Sequence, residues 1–103
     1  MADTVPTVVD NAANNRFELH ADGQVAVLEY TLAGDHIRLV HTEVPAGLQH
    51  RGYAEALARA GLEYARTNHL KVVPICPFVR AFLKRHLEYE PVLDPRWKSM
   101  IDQ

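Results

Sequence analysis

The stretch Pro45–Arg66, PAGLQHRGYAEALARAGLEYAR, decides how the chain is read. Ala54, Leu57, Ala58, Gly61, Leu62 and Ala65 recur at i, i+3, i+4, i+7, i+8 and i+11, the spacing of one helix face, with Glu55, Arg59, Glu63 and Arg66 opposite. Alanine and glycine in that stripe let a helix axis sit close to a sheet. The loop ahead of it, Gln49 to Ala54, has two readings. It is either a solvated strand-to-helix turn, or a cradle in which the free backbone N–H groups at a helix start receive an anion such as pyrophosphate. In the second reading Gly52 lets the backbone approach the ligand, and Gln49 and Arg51 cap or neutralise it.

Working outward, the residues before the loop alternate with period two. Arg16 to His20 and Gln24 to Leu32 are strand-like and meet at Ala21-Asp22-Gly23, where Asp-Gly signals a tight turn. Ala33-Gly34-Asp35 turns the chain into a third run, His36 to Val44, giving an antiparallel three-strand meander. Alternation along that run places Ile37, Leu39, His41 and Glu43 on one face and Arg38, Val40, Thr42 and Val44 on the other. Pro45 lacks an amide donor and ends or splays the strand. After the helix, Asn68 is expected to stop it in a left-handed conformation. Lys71 to Ile75 is a fourth strand, and Pro77, Phe78, Val79, Phe82 and Leu83 mark a short second helix with Lys84 and Arg85 near its end and Cys76 at its N-cap. Residues 1–15 show no clean period and read as a loose lead-in; residues 16–103 read as one domain. The expected fold is α/β (α+β), a mostly antiparallel central sheet built on the meander, then helix, strand and short helix.

A length of 103 residues fits one domain, since a smaller unit would bury too little apolar surface to offset its chain entropy. The formal charge of −2 lacks the basic excess of a nucleic-acid binder, so no such partner is expected. No run approaches the roughly twenty apolar residues of a membrane span. Cys76 is the sole cysteine and the first residues have no basic n-region, so a cytoplasmic protein is expected. His20, His36, His69 and His86 have no metal-ligand spacing, and no metal site is expected.

The loop Gln49-His50-Arg51-Gly52-Tyr53-Ala54 resembles the acetyl-CoA signature Q/R-x-x-G-x-G/A of the GNAT (GCN5-related) N-acetyltransferase superfamily, matching at Gln49, Gly52 and Ala54. The element order is similar to that family's core. His41-Thr42-Glu43-Val44-Pro45 and Cys76-Pro77-Phe78 resemble a small single-domain, acetyl-CoA-binding subfamily, and the likeness covers about Arg16 to Tyr89. It implies acetyl-CoA as the cofactor, with its pyrophosphate on the backbone of Gln49, His50, Arg51, Gly52, Tyr53 and Ala54. It also implies a pantetheine arm paired along Glu43 to Ala46, Val44 included, and a thioester in the gap between the third and fourth strands.

Two departures from the family pattern shape the chemistry. The elements that build the acceptor side in most such enzymes have no counterpart here, so that side is expected to be open or borrowed. Leu83 falls where the last core helix usually carries a tyrosine that protonates the departing thiolate. Cys76 is the candidate replacement, because a thiol at a helix N-cap gains thiolate character and could protonate the leaving sulfur or attack the acetyl group. The bland alternative is a buried structural cysteine. His41 and Glu43 are candidate bases for an ammonium acceptor, whose lysine-like pKa of about 10.4 requires a proton to leave before nitrogen attacks. Arg80, Lys84 and Arg85 either reach the adenosine phosphate or only complement a helix dipole, and Trp97 covers either the core or a partner surface. The expected activity is acetyl transfer from acetyl-CoA to a primary amine of an unspecified small molecule or protein. The alternative is a non-catalytic acyl-CoA-binding module that regulates a protein partner; a plain scaffold with a chance motif is a third reading.

Overall fold

The computed structural model describes residues 5–98; residues 1–4 of the lead-in and 99–103 of the domain lie outside the described residues. Five strands, β1 (Val9–Asn11), β2 (Arg16–Ala21), β3 (Gln24–Ala33), β4 (His36–Glu43) and β5 (Lys71–Pro74), form one sheet in that order. β1 to β4 are antiparallel, and β5 lies parallel to β4. Helix α1 (Tyr53–Thr67) makes the crossover between them and α2 (Pro77–Arg85) follows β5. The expected meander is present with one strand more. Val9–Asn11, read from sequence as part of a loose lead-in, pairs with Arg16 to Glu18 around a 3₁₀ turn at Ala12–Asn14. A three-residue edge strand carries too few side chains for a period. Side-chain bonds hold it instead, Tyr30 Oη donating to Asp10 at 2.6 Å and Asn11 Nδ2 to Glu18 at 2.9 Å.

Phe17, Leu19, Leu28, Tyr30, Ile37, Leu39 and Val72 share one sheet face and pack in a single cluster with Leu57 and Leu62 of α1 and with Val79 and Phe82 of α2. Both helices therefore cover the same face. The small-residue stripe works as its composition suggests. A Cβ on Gly61 would stand 3.2 Å from a Leu39 methyl and 3.3 Å from a Leu28 methyl, so only glycine permits this helix-to-sheet distance without adjustment. α1 stops on a left-handed residue, but that residue is His69 (φ 56), not Asn68 (φ −98). Leu70 N–H donates to the Ala65 carbonyl at 2.9 Å, the bond that closes this kind of helix end, and Asn68 uses its side chain to bond the Tyr64 carbonyl.

A bulge in β4 overturns the expected faces of that strand. Tyr30 pairs with Leu39 and Glu29 with His41, so Val40 has no partner in β3. Alternation holds only while each residue takes its turn in the ladder, and an extra residue inverts it. Leu39 and Thr42, opposite Tyr30 and Leu28, consequently share the helix-covered face. His41 and Glu43, opposite Glu29 and Val27, lie on the uncovered one. The tail closes the far edge: Leu93 bridges Val72, and His36 Nε2 lies 2.7 Å from Asp94. Bonds from Arg96 and His36 hold the Asp94 carboxyl well below the usual carboxylate range. Among the described residues no helix is long and apolar enough to cross a membrane.

Candidate functional site

After β4 the chain makes a 3₁₀ turn, Ala46–Leu48, pinned by the fully buried Leu48. It then adopts left-handed backbone twice within three residues, at His50 (φ 67) and Gly52 (φ 81). Gly52 is the N-cap of α1 and has no side chain to cap with; the first bond across the helix start is Ala56 N–H to the Gly52 carbonyl at 3.0 Å. The amides of Tyr53, Ala54 and Glu55 precede the first helical donor. They present N–H groups at the positive end of the dipole, an arrangement suited to an anion.

A cavity of about 570 Å³ opens at this point. Gln49, His50, Gly52, Tyr53 and Ala54 line its polar side, and Val44, Leu48 and Phe78 give it an apolar wall fit for an aliphatic chain. Glu55 also lines it, and Arg85 Nη2 at 3.5 Å offsets that negative charge. Gln49 Nε2 donates to the Val44 carbonyl at 3.1 Å, tying the loop to the end of the strand. Arg51 does not line the cavity; its guanidinium pairs with Asp22 in the β2–β3 turn at 2.9 Å.

The gap expected between β4 and β5 is set by the end of their pairing. The ladder runs to Leu39 and Pro74, and Cys76 N–H donates to the Leu39 carbonyl at 2.9 Å; beyond that point the chains part. Cys76 occupies the N-cap of α2, yet its side chain makes no capping bond. The sulfur, in a residue only 3 % exposed, lies 3.3 Å from Thr42 Oγ1. His41 and Glu43 are 3.7 Å apart with side chains 56 % and 72 % exposed. The thiol thus stands on the helix side of β4 and the two candidate bases on its open side, and none of the three lines the cavity. Leu83 is buried in the core, while the Tyr89 hydroxyl donates to Glu63 at 2.7 Å and accepts from Arg59 at 3.2 Å. Among the described residues no group of three or more His, Cys, Asp or Glu is placed to hold a metal ion.

Leu48, Glu55 and Phe78 line the cavity and Thr42 touches the thiol; none of the four was expected as a site residue, although Thr42 and Phe78 lie within the two motifs that carry the resemblance. Phe78 had a visible signal, a large aromatic directly after the helix-starting Pro77. The place of Thr42 beside the thiol had none, because its face depends on the bulge.

The family model described as GCN5-related N-acetyl-transferase matches residues 16–92, from the start of β2 into the tail. The chain is 37% identical over 62 residues to Protein NATD1 of Bos taurus, covering 59% of this chain and 55% of that protein. The Mus musculus protein of the same name gives the same identity over 59% of this chain and 56% of its own length. The match spans little more than half the length of these relatives.

Proposed function

The chain belongs to the GCN5-related N-acetyltransferase family, and from that premise we propose that it transfers the acetyl group of acetyl-CoA to a primary amine. The observation that carries the reading is the cavity at the start of α1, where free amides, a left-handed Gly52 and an apolar wall stand together. These residues suit an anionic group joined to an aliphatic arm. Tyr53, Ala54 and Glu55 would receive the pyrophosphate on their amides, and Val44, Leu48 and Phe78 would shield the arm. Bound there, acetyl-CoA supplies an activated thioester.

The chain's own groups divide the remaining tasks between the two sides of β4. His41 or Glu43, on the uncovered face, takes the proton from the ammonium form of the acceptor, leaving its nitrogen free to attack. Strand amides beyond Leu39 polarise the carbonyl. Cys76, on the helix side, holds a proton for the leaving sulfur. The exposed face at His41 is where an acceptor approaches.

Two points favour a second reading, a non-catalytic acyl-CoA-binding module that regulates a protein partner. The thiol is buried and Leu83 stands in place of the usual acid. Calorimetric titration with acetyl-CoA, followed by an acetyl-transfer assay over amines and peptides, separates the readings. Saturable binding with turnover supports the enzyme; binding with no turnover over the whole panel supports the module; no binding overturns both.

A further inference from the structure

We infer that the β2–β3 turn is the buttress of the anion cradle, Asp22 positioning His50 to Gly52 through its ion pair with Arg51 although it stands outside the cavity. The inference deepens the proposed function, since it concerns the same loop. His50 carries a Cβ yet sits at φ 67, a conformation that persists only where its surroundings enforce it. Arg51 lies between His50 and the equally left-handed Gly52, so a tether on Arg51 fixes both.

Two of the contacts that fix the segment come from one hairpin. Arg51 Nη1 reaches Asp22 Oδ2 at 2.9 Å, and Gln24 packs so closely over Gly47 that a Cβ there would lie 2.7 Å from its Nε2. The third contact is Gln49 Nε2 on the Val44 carbonyl. The hairpin can bear the load because Asp22 and Gly23 both have positive φ, 53 and 73, a two-residue turn whose twist matches its strands.

Charge gives the inference a sign. Asp22 is acidic, so as a mere neighbour it would weaken anion binding, and its removal would tighten it. If Arg51 served as a phosphate ligand, removing Asp22 would release it and tighten binding further. A positioning role predicts weakening.

The test compares wild type with Asp22→Ala, Arg51→Ala and the reciprocal exchange Asp22→Arg with Arg51→Asp. Two quantities are read: acetyl-CoA affinity by calorimetry, and backbone order parameters at residues 50–52 of the free protein by ¹⁵N relaxation. An exposed ion pair is a modest tether, so Asp22→Ala is expected to weaken acetyl-CoA about threefold to fivefold and to lower the order parameters, with the exchange restoring both. Order parameters unchanged in Asp22→Ala, or tighter acetyl-CoA binding, overturn the inference. If wild type fails to bind acetyl-CoA while the order parameters still respond to Asp22→Ala, the buttress stands and the acetyl-CoA reading falls.

Discussion

Thr42 and Cys76 meet where β4 and β5 part, with Oγ1 3.3 Å from the sulfur. The contact exists because the bulge at Val40 turns Thr42 toward the helix-covered face, and because Cys76 N–H closes the last bond to β4. A hydroxyl at this distance is within hydrogen-bond reach of the thiol. If Cys76 donates the proton to the leaving sulfur, Cys76→Ala lowers kcat by about a hundredfold or more while acetyl-CoA affinity is kept. Thr42→Val, which removes one hydrogen bond of about 1 kcal/mol, lowers it about fivefold. Unchanged turnover in Cys76→Ala takes the thiol out of the mechanism.

Gly52 tests the cradle through its backbone. A Cβ there meets nothing within 4 Å, so the cost of a side chain comes from the left-handed φ of 81 rather than from a clash within the chain. Gly52→Val, a β-branched residue disfavoured in that region, should abolish saturable acetyl-CoA binding in calorimetry. Gly52→Asn, which tolerates the left-handed region, should retain more of it. Equal binding by both variants would show that the conformation of residue 52 does not matter to the ligand.

His41 and Glu43 share the uncovered face, 3.7 Å apart. The pair variant His41→Ala with Glu43→Gln should slow acetyl transfer by about a hundredfold or more and leave the KM for acetyl-CoA unchanged, because neither residue lines the cavity. The single variants then identify which of the two is the base. Full activity in the pair variant would move proton removal elsewhere.

Gly61 tests the packing. Gly61→Val puts methyl groups where a Cβ alone would already stand 3.2 Å from Leu39, and overpacking of this kind costs about 1–3 kcal/mol. For a domain of this size each kcal/mol lowers Tm by roughly 4–8 °C, which calorimetric unfolding reads directly. An unshifted Tm would mean that the sheet yields to the new side chain.

Glu18 sets an acid limit. Its buried carboxylate accepts bonds from Asn11, Arg16 and His20, which lower its pKa from the ordinary 4.5 to about 2. Because the folded value is the lower one, its contribution to stability is full above pH 4.5 and is lost as pH falls from 4.5 toward 2. Denaturant unfolding should show the advantage of wild type over Glu18→Gln shrinking across that window. A constant difference would place the proton elsewhere.

Local sequence determined the parts of this protein that depend on neighbours in the chain. The stripe Ala54 to Ala65 specified α1, Asp22-Gly23 specified the hairpin, Pro77 started α2, and the loop Gln49 to Ala54 marked the start of α1. The tertiary structure alone decided what depends on pairing across the fold. β1 is a strand because Glu18 and Tyr30 hold it, and Val40 bulges because β3 offers it no partner. That bulge places Thr42 beside the thiol and sends His41 and Glu43 to the opposite face. Arg51 stands outside the cavity and pairs with Asp22, which is remote in sequence yet lies within reach of its guanidinium. A period of two or of 3.6 is a property of consecutive residues. A register shift or a distant ion-pair partner is not, and so it becomes legible only once the strands are side by side.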